Sequence, residues 1–346
     1  MFEHRSEARL AVVGAGLIGR RHADIALRET ALCAIVDPSP EAARLAASAG
    51  VPIYGDLEAM LAREAPDGVI IATPNRLHVE QALTCVSSGT AVLVEKPIAD
   101  DENDGTRLVA AAEQAGVPIL VGHHRRHNPL IRRAKETIAS GGIGTVLAVQ
   151  ATCWFHKPDD YFDVAWRRAP GAGPILVNLI HDVDLLRHLC GEVMRVTALQ
   201  SAEVRGHPVE ETAAILLQFA NGALGTVSVS DTVPAPWSWE LTAGENPAYP
   251  RSDQSCCLIG GTHGSLSLPD LNLWHYRDKR DWWLPIDRRT LLADGGDPLV
   301  AQMRHFAEVA LRRTAPLVSG RDGLETLRVI SAIRRSAETG ETVAVR

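Results

Sequence analysis

The feature that most restricts this chain is a short apolar run at residues 9–13 that passes directly into Gly14-Ala15-Gly16-Leu17-Ile18-Gly19 and then into a helical pattern. Three glycines at this spacing, between a strand and a helix, have three separate jobs. The first permits a tight turn and the second lets the backbone approach a pyrophosphate. The third allows close helix–strand packing, while the helix start offers amide donors and positive potential to an anion. A glycine-rich turn alone says little, but here strand, turn, helix and second strand come in order. The second strand ends at Asp37, at the spacing expected of an acid that accepts hydrogen bonds from an adenosine ribose. A carboxylate there repels a 2′-phosphate, so NAD is the expected cofactor and NADP the second choice. The alternative is that Asp37, followed by Pro38, only starts a turn.

The surrounding pattern agrees with a dinucleotide fold. Strands are expected at 9–13, 32–37, 52–54, 68–72, 91–94 and 118–121, with amphipathic helices such as 56–63, 77–87 and 103–115 between them. Strands that are apolar throughout, alternating with helices, imply parallel βαβ units covered on both faces. Asp56 suits a helix N-cap, and Gly89 and Gly116 fall where helices should stop. Beyond about residue 123 the strands lengthen and alternate in polarity: 145–154, 193–205, 212–219 and 224–230. Asn221-Gly222 reads as a hairpin turn. Short strands are expected around 257–259 and 265–268, and closing helices near 299–312 and 323–339. The fold class is therefore α/β. A doubly wound parallel Rossmann sheet is expected over 1–123, and an α+β domain with an open-faced, mainly antiparallel sheet over 124–346. A chain of 346 residues has room for two such domains.

Composition removes several functions. A net charge of -7 argues against a nucleic-acid partner, which requires a surplus of basic residues on one face. No apolar run approaches bilayer-spanning length, so no membrane partner is expected. The opening MFEHRSEARL lacks an apolar signal region, which points to a cytoplasmic protein. The six cysteines show neither a C-x-x-C pair nor metal-ligand spacing, so buried thiols in a reducing compartment and no metal site are expected.

Thr73-Pro74-Asn75 follows the fourth strand at the rim where doubly wound sheets bind ligands, and could line the ribose and nicotinamide or merely turn the chain. Glu95-Lys96-Pro97 leaves the fifth strand on the same rim. The chain has 31 arginines and only 4 lysines, so a lysine kept at that rim is notable. A lysine beside an oxidised nicotinamide could exchange a proton near neutrality; the plainer reading is a solvated strand-end lysine. Residues 177–191 form a helical pattern with Leu179, Val183, Leu186 and Cys190 as one apolar stripe and Gly191 at its end. His181, Asp184 and His188 then share the opposite face, as on a helix lining a cleft or one bathed in solvent.

Taken together, GAGLIG, ATPNRLH, EKP and IHDVDLLRHLCGE resemble the Gfo/Idh/MocA family, the group of glucose–fructose oxidoreductases and inositol dehydrogenases. The resemblance spans nearly the whole chain. It implies a Rossmann domain followed by an open-faced sheet domain, with NAD(P) between them, and hydride transfer to or from a hydroxyl-bearing carbon of a sugar, polyol or cyclic hydroxy acid. It implies cofactor contacts from Gly14, Gly16, Leu17, Ile18, Gly19, Asp37, Thr73, Pro74, Asn75, His78, Glu95 and Lys96. Lys96 would assist proton transfer and touch substrate, His181 would be the acid/base histidine, and the Lys96–Pro97 peptide would be cis. Relatives are commonly homodimers or homotetramers assembled through the sheet face. One position departs: inositol-dehydrogenase-like members carry an aspartate four residues before the histidine, where this chain has Val177 and then Asn178. Either Asn178 or Asp184 is left to orient His181.

Substrate contacts are expected from Arg125 and Arg126 in the Gly122–Asn128 segment, where an arginine could grip a carboxylate bidentately, and from Trp166, Arg167, Asn178 and His181. Trp154-Phe155-His156 could line the same pocket. Two other functions share this fold: an NAD(P)-binding regulatory protein without turnover, and a glycosidase that cycles NAD internally. The joint presence of Lys96 and His181 favours a dehydrogenase.

Overall fold

In a computed structural model, residues 6–345 are described; Met1–Arg5, the start of the segment read above for a signal, lie outside the described residues. The chain opens as β1 (Arg9–Val13), α1 (Leu17–Glu29), β2 (Ala31–Val36), α2 (Pro40–Ala49), β3 (Ile53–Tyr54) and α3 (Leu57–Glu64). It continues as β4 (Gly68–Ile71), α4 (His78–Ser87), β5 (Ala91–Val94), α5 (Glu102–Ala115) and β6 (Ile119–Val121). The six strands run in the order β3-β2-β1-β4-β5-β6, every pair parallel. All residues of β4, β5 and β6 are buried, as strands without polar alternation must be when helices cover both faces. Local chemistry sets the helix ends. The Asp56 carboxylate accepts from the Ala59 amide at 2.8 Å, and α5 stops at Gly116 in the left-handed region.

The second half contains α6 (Pro129–Ala139), β7 (Val146–Trp154), α7 (Pro174–Val177), α8 (Leu179–Cys190), β8 (Val193–Ser201), β9 (Thr212–Phe219) and β10 (Leu224–Ser230). After α9 (Trp239–Thr242) come β11 (Cys257–Gly261), β12 (Gly264–Leu268), β13 (Asn272–His275) and β14 (Asp287–Thr290). The chain then closes with α10 (Pro298–Ala310), α11 (Gly320–Thr339) and β15 (Val343–Ala344). The nine strands are ordered β14-β13-β12-β11-β7-β10-β9-β8-β15, antiparallel except for β10 beside β7. Strict alternation in β9 puts Ala213, Ile215 and Leu217 inside and Ala214, Leu216 and Gln218 outside. The β9–β10 hairpin turns at Asn221-Gly222, with Gly222 at φ 87°.

Two strand readings need correction. β8 ends at Ser201 rather than at residue 205, because the Glu211 carboxylate accepts from the amides of Val204 and Arg205 and draws that segment off the ladder. β13 and β14 are two further strands, and their short sequences, NLWH and DRRT, have too little alternation to announce them.

The division at residue 123 also needs correction. The chain up to His127 and Gly296–Leu327 form one compact unit, while Asn128–Gly295 and the chain from Arg328 form the other. The cause is α10, which packs on the first sheet. Gly68 in β4 is the seat: a Cβ there would lie 2.8 Å from the ring of Phe306 and 3.0 Å from Ala310. α11 adds Leu324 and Leu327 to the first core and Ile330 and Ile333 to the second. Because Phe306 is wholly buried in the first core, Phe306→Ala should lower the unfolding free energy by about 3–5 kcal/mol in urea denaturation. Gly68→Ala, which overpacks the same contact, should cost about 1–3 kcal/mol. A change within error for both would refute this role of α10.

Candidate active site

The carboxyl ends of β1, β2, β4 and β5 lie along one rim, because all four strands are parallel. At the first of them Gly14 has φ 87°, and a Cβ on it would come within 2.7 Å of the Ala72 carbonyl oxygen. A Cβ on Gly19 would lie 1.9 Å from the Gly14 oxygen. Packing of the chain on itself therefore demands both glycines. Gly16 is different: a Cβ there would meet nothing within 4 Å, so the space its bareness leaves lies outside the chain, where a pyrophosphate approaches. Gly16 caps α1 without a side-chain bond, and the first turn of α1 carries no acid, so its amides are left to an anionic ligand. This cradle fits a dinucleotide. Leu17 is exposed beside it, whereas the Ile18 side chain packs against the core, which leaves Ile18 its backbone for any ligand contact.

Asp37 ties this turn to the next. Its Oδ2 accepts from the Ala15 amide and its Oδ1 from the Ser39 amide, each at 2.8 Å. Burial acts to raise its carboxyl, but hydrogen bonds from the Ser39 hydroxyl and these two amides hold it below the ordinary aspartate value. The group is thus an anion that also braces the turn, and the two readings offered for it above are not exclusive.

On the next strand end, the Thr73 hydroxyl donates to Gln81 at 2.6 Å, leaving Pro74 exposed and Asn75 half-buried at the rim. His78, expected as a cofactor contact, is 1 % exposed. Its Nδ1 faces the Pro97 carbonyl oxygen at 2.8 Å and its Nε2 that of Thr73 at 2.9 Å. It ties the two rim loops together.

The Glu95 side chain is also interior. His22 Nε2 of α1 lies 2.7 Å from Glu95 Oε1, and the Lys96 amide donates to Glu95 Oε2 at 3.2 Å. Burial works to raise the Glu95 carboxyl, yet the His22 hydrogen bond, with the favourable electrostatics of His22, His124 and Lys96, brings it down to about 2. Lys96 follows, half-buried, and the Lys96–Pro97 peptide is cis, as expected. Arg125 and Arg126 do not lie in a solvated loop. They are buried in a short helical turn, and Arg126 meets Asp322 at 3.3 Å within the same unit.

In the second unit, α8 carries the expected apolar stripe, but the opposite face is not solvated. His181, Asp182, Asp184 and Arg187 are all buried, and only His188 is half-exposed. Arg187 closes the helix end with two hydrogen bonds to Glu192, and Asn221 Nδ2 donates to the Cys190 carbonyl at 2.8 Å. Asn178 begins this helix, and its carbonyl accepts from the His181 amide at 3.2 Å. Its side-chain Oδ1 is buried with no hydrogen-bond partner among the described residues. Of the aromatic candidates, Trp166 is 58 % exposed, while Arg167 stacks on the Tyr161 ring at 4.1 Å and donates to the Tyr161 carbonyl. Trp154 instead lies on the open sheet face, donating to Ser228 at 2.8 Å beside Trp237.

Residues 8–123 match the model of the oxidoreductase family with an NAD-binding Rossmann fold, and residues 131–267 match the GFO/IDH/MocA C-terminal domain. This chain belongs to the Gfo/Idh/MocA family. It is 30% identical to the 4-carboxy-2-hydroxymuconate-6-semialdehyde dehydrogenase of Sphingobium sp. over 64% of this chain and 71% of that one. It is 29% identical to the D-apiose dehydrogenase of Paraburkholderia graminis over 97% of this chain and 89% of that protein. The WlbA dehydrogenase of Bordetella pertussis, solved with NADH and UDP-GlcNAcA, superposes with a TM-score of 0.80 at 26% identity, covering 98% of this chain and 99% of the other. As a Gfo/Idh/MocA member the chain is an NAD(P)-dependent oxidoreductase, and the cradle at Gly14–Gly19 lies within the matched NAD-binding region.

The buried Glu95 carboxylate gives the enzyme an acid-sensitive element. A carboxyl lowered from 4.5 to about 2 contributes stability that is complete above pH 4.5 and is lost as the pH falls through that interval. The contribution is roughly 3 kcal/mol. Glu95→Gln should therefore flatten the acid limb of the unfolding free energy when urea melts are repeated at stepped pH. An acid limb of unchanged slope would show that Glu95 is not held as described.

Proposed function

We propose that this enzyme transfers a hydride between NAD and a secondary hydroxyl carbon of a neutral sugar or polyol. The observation that carries this reading is the rim of the first unit, where the nucleotide turn, Asp37, Thr73–Asn75 and Lys96 all stand at strand carboxyl ends. The bound dinucleotide supplies the hydride-accepting chemistry. In the oxidising direction the substrate hydroxyl must lose a proton as its carbon loses the hydride. Lys96 exchanges that proton and steadies the developing alkoxide, and His181 is assigned an acid/base role from its place at the start of α8. Asn178 Oδ1, buried without a partner among the described residues, offers an acceptor to a neighbouring substrate hydroxyl. Trp166 and Arg167 flank this helix from the preceding loop. The burial of Arg125 and Arg126 favours a neutral substrate over a carboxylate, and a relative named for D-apiose supports a sugar.

Self-association is part of the same reading. The open face of the nine-stranded sheet exposes Leu199, Leu216, Leu224 and Leu258, and we assign it to a homodimer or homotetramer contact. None of the six cysteines forms a disulfide, which supports a cytoplasmic setting.

Three measurements test this. A screen of neutral and carboxylated sugars and polyols with NAD and NADP, followed by nicotinamide absorbance, should favour neutral compounds and NAD, and Asp37→Ser should narrow the NAD preference. Lys96→Ala and His181→Ala should each lower turnover by about 10²–10⁴-fold; near-normal turnover in Lys96→Ala would remove the assignment. In sedimentation velocity, Leu216→Glu should shift the enzyme towards monomer, and an unaltered profile would discard the sheet-face contact.

A further inference from the structure

Lys96 is a flexible side chain at the end of a strand, and proton transfer needs its amine held near one place. The residue before it is fixed unusually well. Glu95 is buried on all sides, and three separate elements of the first unit meet on it. From α1, His22, itself 1 % exposed, places Nε2 2.7 Å from Oε1. The other ring nitrogen of His22, Nδ1, is buried with no hydrogen-bond partner among the described residues, so the side chain serves Glu95 alone. From the end of β5, the Lys96 amide donates to Oε2 at 3.2 Å. From the end of β6, Gly122 presses close: a Cβ on it would lie 2.9 Å from the Glu95 carboxyl carbon and 3.0 Å from its Cα.

A buried carboxylate is tolerated only where it is hydrogen-bonded, and His22 is the one side-chain donor recorded on it among the described residues. Remove that donor and the anion must turn towards another partner. It would carry the backbone amide of Lys96 with it.

We propose that His22 is a positioning residue for Lys96, acting through the buried Glu95 carboxylate, with Gly122 as the wall that keeps this carboxylate in place. The proposal rests on the reading that Lys96 handles the substrate proton. His22 belongs to the helix that opens with the nucleotide turn, so the same helix carries the phosphate cradle at its start and the lysine brace one turn later.

The decisive experiment compares His22→Leu, His22→Gln, Gly122→Ala, Lys96→Ala and the double variant His22→Leu/Lys96→Ala. A glutamine amide can stand where the imidazole Nε2–H stands, so it is the conservative rescue. The first readout needs neither substrate nor turnover: competitive labelling of the four lysines with acetic anhydride, resolved by mass spectrometry, with exposed Lys279 as the internal reference. In His22→Leu and Gly122→Ala, Lys96 should label at least about threefold faster relative to Lys279, because an amine no longer held in one place is more open to the reagent. In His22→Gln the ratio should return towards the wild-type value.

The second readout is turnover on the sugar or polyol chosen by the screen. His22→Leu should lose about 10–100-fold in kcat while its affinity for NADH, followed by fluorescence, changes less than about threefold. The double variant should be no slower than Lys96→Ala, since two changes acting through one group are not additive. A double variant slower by the full His22→Leu factor, or unchanged Lys96 labelling in both His22→Leu and Gly122→Ala, overturns the proposal. Should His22→Leu fail to fold, Gly122→Ala and His22→Gln decide the question from the labelling alone. Normal turnover in Lys96→Ala would instead remove the underlying assignment of Lys96, so the two failures are told apart.

Discussion

The first unit depends on backbone approaches that no side chain could survive. Between β1 and α1, the Gly19 Cα sits where any Cβ would overlap the Gly14 carbonyl, and Gly14 sits where any Cβ would overlap Ala72 at the end of β4. These contacts fix the helix against two strands at once. They aim its uncapped amides over the rim on which the loops after β2, β4 and β5 also open. Asp37 then links the glycine turn to the β2 end, His78 links the β4 loop to the turn after Lys96, and Glu95 links that turn back to α1 through His22. The rim is a ring of short polar ties, each made by a residue at a strand end.

Much of this was legible from order alone. The glycine spacing needs a strand before it and a helix after it, and both stand as read, as do all six parallel strands within a residue or two. What the sequence could not convey was which polar residues face inward. His78 and Glu95 read as ligand contacts because they neighbour the rim in sequence; whether a side chain turns to solvent or to a main-chain carbonyl is decided by χ angles and neighbours from other elements. His22 is hidden in the sequence for the same reason. A histidine one turn into a helix has no pattern until Glu95, 73 residues later, is placed beside it.

The second unit shows a related limit. The apolar stripe of α8 was plain, but amphipathic periodicity cannot separate a face in water from a polar face packed among paired charges. Arg187 with Glu192, and the burial of Asp182 and Asp184, make α8 a helix enclosed all round, with Asn178 and His181 at its start. Buried charge of this kind is tolerated through pairing and commonly accompanies chemistry, which is why the start of this helix commands attention.

The seat that Gly68 provides for Phe306 has a consequence for biosynthesis. Although the dinucleotide-binding sheet is complete by residue 121, the helix that covers part of it is translated only after β14 of the other sheet. A nascent chain halted before α10 would carry an uncovered apolar surface on β4. The enzyme's nucleotide-binding half is therefore finished only when α10 has left the ribosome, and excising residues 1–123 for study in isolation would leave it without its own lid of packing.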